Sequence, residues 1–230
     1  MDIVDSTQNI LTKNVLATKD ISPIKIAKIE KKQNFYYNFL SKDEKNLNSS
    51  LISYFQAGNL EDKDYCKLLI LEALFREKFF DDLRTKKALG YIVRLGLREH
   101  RDVNGVFCLV QSSQRSPEYL HDVINEFLAK PEFENINDET YQEYVKSVID
   151  ELSKKDLKLD EEALRNFNEI KSKNYKFDKR KIYINILKQI KLEEVRELYE
   201  KIFNGEMKRL DVGLLAHCHL EENNTCEVEN

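Results

Sequence analysis

The apolar positions of this chain change their spacing along its length. From Asn34 to Leu40 (NFYYNFL) and from Ser49 to Ala57 (SSLISYFQA), aromatic and β-branched residues recur at every second position, the period of a strand. The charged stretch SKDEKNLN separates these two runs, which are predicted to be antiparallel neighbours. From Asp62 to Leu83 the spacing becomes helical. Leu68, Leu69, Leu71, Leu74, Phe75, Phe79 and Phe80 cover more than one face, which predicts a deeply buried helix. Gly90 is expected to end it, with Lys86 and Lys87 near the negative end of its dipole. Period two returns from Tyr91 to Arg98 and from Val106 to Ser112, and Asn104-Gly105 between them signals a hairpin turn.

The next ninety residues read as helix. Ser116-Pro117-Glu118 carries a serine cap, a proline in the first turn and an acid at the positive end of the dipole. Asn137-Asp138 and Asp160 look like further caps. Leu192, Val195, Leu198, Tyr199, Ile202 and Phe203 form a 3.6-residue stripe closed by Gly205. A last strand is predicted from Leu210 to Ala216. Strands, a helix, a hairpin, a helical block and a final strand make an α+β fold, a mostly antiparallel sheet with helices packed on one face. Residues 1–30 read as a lead-in with one short strand at Ile24 to Ile29, residues 31–217 as a single domain, and residues 218–230 as a polar tail.

Composition narrows this picture. With 41% hydrophobic residues the 230-residue chain can build a real core, and six glycines and three prolines speak against a many-stranded sandwich. A formal charge of −4 gives no bulk attraction to nucleic acid or to an anionic membrane, so neither is an expected partner. The run KSKNYKFDKRK reads as a solvated face. Four cysteines without a CxxC pair suit free thiols in a reducing compartment. The opening MDIVDSTQNI lacks the basic flank and apolar run of a signal peptide, and no stretch reaches the roughly 20 apolar residues of a membrane helix. A cytoplasmic protein is therefore expected, with the sequons at Asn48 and Asn223 as chance matches.

Candidate chemistry is sparse. No HExxH occurs, and the inverted zinc motif HxxEH fails because Gly96 stands where Glu99-His100 would need a histidine. His217-Cys218-His219 with Cys226 could supply metal ligands on paper. On a strand His217 and His219 would share a face that Cys218 does not, so the tract reads as a strand end running into the tail. No nucleophile elbow, P-loop or dinucleotide fingerprint is present, and no cofactor is expected in this chain.

One stretch stands apart. FDDLRTKKALGYIV, Phe80 to Val93, resembles the pattern F-x-x-L-R-T-K-x-x-L-G-Y-x-V of the insulin-degrading enzyme and pitrilysin family of zinc metallopeptidases. LVQSSQRSPEYLHDVINEFL and YKFDKRKIYINILKQIKLEEVRELYEKIF resemble later parts of the same family, so the likeness covers about residues 30–216. Lys87-Ala88 departs from the Glu-Gln often found there. The resemblance implies the C-terminal, non-zinc domain of an insulinase-like metalloendopeptidase, with zinc, HxxEH and general base in an N-terminal half that is this chain's partner. It also implies that Arg84 and Tyr91 face the zinc site across a closed chamber and serve as auxiliary catalytic contacts, donating to the carbonyl or oxyanion of a peptide substrate. Thr85 and Gly90 would shape the turn, while Phe80, Leu83 and Leu89 would pack. Alone, the chain is expected neither to hold zinc nor to cleave peptides. Two alternatives remain at this point: a catalytically silent scaffold subunit of the same family, and a stand-alone peptide-binding module using a sheet edge.

Overall fold

A computed structural model describes residues 25–100, 103–131, 133–172, 174–205 and 207–220. Five strands, β1 (Gln33–Leu40), β2 (Ser49–Gly58), β3 (Val93–His100), β4 (Val103–Ser112) and β5 (Lys208–Leu215), form one sheet in the order β1-β5-β2-β4-β3. All its pairings are antiparallel except the outer one, where β1 runs parallel to β5. The expected pairing of β1 with β2 is thus replaced: β5, some 150 residues later in sequence, inserts between them. Alternation marks a strand but carries no record of which distant strand will lie beside it.

Six α-helices lie among the described residues: α1 (Asp62–Phe80), α2 (Pro117–Ala129), α3 (Asp138–Ser153), α4 (Leu159–Ser172), α5 (Lys179–Leu187) and α6 (Leu192–Tyr199). They cover the sheet face that carries Leu51, Phe55, Val93, Leu95, Val106, Cys108 and Val110, all buried. α1 lies against β3, and α2 against β2 and β5. The 3.6-residue stripe of α6 continues through a π segment, Glu200–Gly205, and brings Phe203 edge-on to Phe55 at 4.8 Å. The predicted caps form where expected: Ser116 Oγ accepts from the Tyr119 amide, and Asn137 Oδ1 from the Thr140 amide. Asp160 falls inside the first turn of α4, not before it.

Beneath β5 the core is polar. Arg209 and Asp211 are both buried, joined through Arg209 Nε at 2.7 and 2.9 Å from the two carboxylate oxygens. Ser53 and Asn125 each accept from one of the two terminal guanidinium nitrogens, and the Phe55 ring packs against the group at 4.9 Å. A buried ion pair with every guanidinium nitrogen hydrogen-bonded is tolerated; one partner alone would not be.

Two local readings are corrected. Residues 25–30 form no strand; they are irregular, tied down where Gln56 bonds the Ile29 amide and the Ala27 carbonyl, and Ile24 lies outside the described residues. Asn104-Gly105 is not the hairpin turn but part of β4, paired with both β2 and β3. Gly105 is needed there because a Cβ would come within 2.4 Å of the Tyr54 ring and 2.6 Å of the Phe55 carbonyl oxygen. The turn itself, residues 101–102, lies outside the described residues.

Candidate substrate-contact site

The stretch that joins α1 to β3 is built by an underwound helix end and two close backbone approaches. α1 passes without a break into a π segment, Asp81–Lys86, so the Lys87 amide reaches back to the Asp82 carbonyl at 2.9 Å. The Leu89 amide bonds the Leu83 carbonyl at 3.0 Å, and both leucines are buried as expected. The left-handed residue of the turn is Ala88, with φ 50°, rather than Gly90. Gly90 serves another purpose. A Cβ there would sit 1.8 Å from the Gln111 carbonyl oxygen, so only glycine lets the turn lie against β4. Two residues on, the Gln111 amide donates to the Ile92 carbonyl at 2.9 Å and the chain enters β3.

Lysines brace the turn. Lys87 Nζ lies 3.0 Å from Asp82 and 3.4 Å from Glu126 on α2, and Lys86 pairs with Asp81 at 2.9 Å. Burial opposes the Lys87 charge, but hydrogen bonds and charge from Asp82 and Glu126 outweigh it, leaving its pKa above the usual value. The Lys87 hydrogen bond, before its charge, holds the Glu126 carboxyl below the ordinary range.

Arg84 and Tyr91 meet on this ledge. The guanidinium carbon of Arg84 is 4.6 Å from the centre of the Tyr91 ring and 4.7 Å from that of Phe80. The cation thus packs against two rings, contacts that restrain it yet leave N–H groups to donate. Among the described residues Arg84 has no carboxylate partner, and the Tyr91 hydroxyl makes no hydrogen bond. Tyr91 is 81% exposed, so neither side chain is core filler. Phe80, expected to pack, is instead partly exposed and forms the inner wall of this stack. The spacing Phe80-x-x-x-Arg84 is compatible with a shared helical face, but the π winding of Asp81–Lys86 decides that the two meet. Tyr91 enters only once the turn has folded.

The histidine-cysteine tract does not gather as a metal site. His217–His219 forms a 3-10 turn instead of a strand end, so the face-sharing expected of alternate strand positions does not arise. His217 Nε2 lies 2.9 Å from the Ser41 carbonyl, His219 Nδ1 lies 2.8 Å from Ser49 Oγ in a buried contact, and Cys218 approaches the Leu47 carbonyl. Cys226 lies outside the described residues. Among the described residues no three His, Cys, Asp or Glu side chains converge in a way that could hold a metal ion, so the residues present do not fit a zinc. Cys66 and Cys108 are free and buried, and burial pushes both thiols up to about 12. No described helix is long and apolar enough to cross a membrane.

Known peptidases resemble this chain in sequence and in fold. Residues 70–167, which contain the whole Arg84–Tyr91 turn, match the family described as PQQ synthase PqqF-like, C-terminal lobe domain 4. Insulin-degrading enzyme-like 2 of Arabidopsis thaliana is 30% identical over 197 residues, covering 83% of this chain and 20% of the relative. Human insulin-degrading enzyme is 24% identical over 216 residues, covering 92% of this chain and 21% of the relative. The crystal structure of pitrilysin superposes on 82% of this chain with a TM-score of 0.69 at 19% identity, covering 20% of that chain. This chain therefore spans about a fifth of the length of these relatives. The matched family model describes a C-terminal lobe, and with these relatives it shows the chain to resemble part of the C-terminal lobe of the insulin-degrading enzyme and pitrilysin family of peptidases.

Proposed function

We propose that this chain supplies substrate contacts and chamber closure to a zinc metalloendopeptidase whose metal and general base lie in the remaining four-fifths of a longer protein. The observation that carries the reading is the Phe80–Arg84–Tyr91 stack. An unpaired guanidinium and a free phenol stand together on a braced, exposed ledge, where a fold interested only in stability would bury or neutralise them. The guanidinium can only donate and the phenol can donate through its O–H, so the ligand that suits the two together is a carbonyl or a developing oxyanion. A peptide backbone is the corresponding substrate class. Arg84 would bind and orient the chain, and the Tyr91 hydroxyl would donate as negative charge grows on the oxygen. Among the described residues no set fits a metal ion, so the metal ligands are assigned to the rest of the longer protein.

The test is Tyr91→Phe and Arg84→Lys in the complete peptidase, assayed on a short fluorogenic peptide. Loss of one oxyanion-type donor costs about 10²–10³ in kcat. Tyr91→Phe keeps the ring over Arg84, so melting should not move. Arg84→Lys keeps the charge but loses the planar fork, and should also slow the reaction. Near-wild-type turnover in both variants would leave the chain as a silent scaffold.

A further inference from the structure

At the other end of α1, roughly 28 Å from Arg84 along the helix axis, lies a cleft of about 530 Å³ between α1, α4, α5 and the end of β3. Its floor is aromatic: Tyr65 and Tyr183 lie 5.2 Å apart, and Phe177 flanks them. Two carboxylates enter it, Glu99 and Glu169. Glu169 is 95% buried by its 5% exposure, and its Oε2 has no hydrogen-bond partner. A buried carboxylate oxygen left bare is costly and marks a place where a donor belongs.

The charges say which donor. Lys179 lies 2.8 Å from Glu169 Oε1 and 4.0 Å from Glu99, so one ammonium serves two carboxylates. The inner group of Glu99, Glu169 and Lys179 thus carries one negative charge in excess. The rim cations do not cancel it, because they are already paired: Lys176 with both oxygens of Asp62, and Arg165 and Arg180 with the two carboxylates of Asp156 and Glu162. Lys171 stands exposed at the rim, where solvent screens it. Tyr65 donates to Glu99, and burial, then the Glu99 charge, holds its phenol protonated well above the usual range. The two tyrosine rings therefore offer neutral π faces beside an unsatisfied carboxylate, a combination that selects an organic cation.

We propose that this cleft binds an organic monocation with a flat or apolar body, the chemistry of an arginine side chain or of a small aromatic amidine, with its N–H donated to Glu169 Oε2 and its body against Tyr65, Tyr183 and Phe177. The inference is independent of the peptidase reading above.

Calorimetric titration of the chain with benzamidine tests it, with benzoate and benzyl alcohol as controls, and with acetyl-Phe-Arg-amide to separate a peptide side chain from a free small cation. Benzamidine should bind and both controls should not. Tighter binding of the peptide assigns the cleft to basic peptide segments; equal binding assigns it to small cations. Glu169→Gln should weaken benzamidine at least about tenfold by removing the charge-assisted acceptor. Lys179→Gln should strengthen it, since it frees Glu169 and leaves a second uncompensated charge. These opposite signs cannot both come from misfolding, and thermal melting of each variant controls for it. Benzoate binding as well as benzamidine, no benzamidine binding at millimolar concentration, or weaker binding in Lys179→Gln would overturn the proposal.

Discussion

Replacing Gly90 by alanine adds one methyl group and should damage both the fold and the site. The added Cβ would lie 1.8 Å from the Gln111 carbonyl oxygen, 2.9 Å from its carbon and 3.3 Å from the Ser112 α-carbon. All three obstacles are backbone, so no side-chain rotation relieves the clash. The turn must lift away from β4, which breaks the bond from the Gln111 amide to the Ile92 carbonyl and loosens the first pair of the ladder, Val93 with Val110. Overpacking of this kind costs about 1–3 kcal/mol, and the lost hydrogen bond about 1 kcal/mol more. The lower entropy of an unfolded alanine returns less than about 1 kcal/mol. The net loss is then about 2–3 kcal/mol, or roughly 4–12 °C in Tm for a domain of this size. Gly58→Ala is the control. Its φ of 90° also favours glycine, but nothing lies within 4 Å of its Cβ, so it should lose only about 1 kcal/mol. Differential scanning fluorimetry of both variants decides. If Gly90→Ala melts within 1 °C of the parent, or no lower than Gly58→Ala, the close approach does not set this turn.

Two further outcomes are expected. Asp211→Ala leaves the buried Arg209 charge unpaired and should cost about 3–5 kcal/mol in urea unfolding, while Arg209→Met with Asp211→Leu should recover most of it; a single-variant loss below about 1 kcal/mol would contradict the polar core. At pH 8 Cys66 and Cys108, with thiols pushed up to about 12, should resist iodoacetamide in the folded chain while exposed Cys218 reacts; mass mapping that finds Cys108 labelled as fast as Cys218 would refute their burial.

What could be read from the sequence follows the range of the interactions. Strand β2, helix α1 and the caps at Ser116 and Asn137 rest on neighbours within a few residues, and local spacing shows them. The place of β1 depends on β5, and nothing in NFYYNFL records that partner. Asn104-Gly105 misleads for a similar reason. Its glycine answers to the Tyr54 ring across the sheet, not to a turn. At the candidate site the residue types were legible through the motif, and so was the burial of Leu83 and Leu89. Two features were hidden: Phe80 as a wall for Arg84, and Gly90 as a packing requirement instead of a helix cap. Both depend on how the π segment turns the chain, and that winding leaves no simple periodic trace.

The claim that this ledge touches bound peptide can be tested by contact itself. A photoreactive p-benzoylphenylalanine in place of Tyr91 in the complete peptidase should crosslink a fluorescent peptide substrate, and excess unlabelled peptide should suppress the product. The same group in place of Leu157, which is 88% exposed between α3 and α4, should give none. Absence of a crosslink at position 91 in a peptidase that still binds the peptide, or equal labelling at position 157, would contradict the assignment.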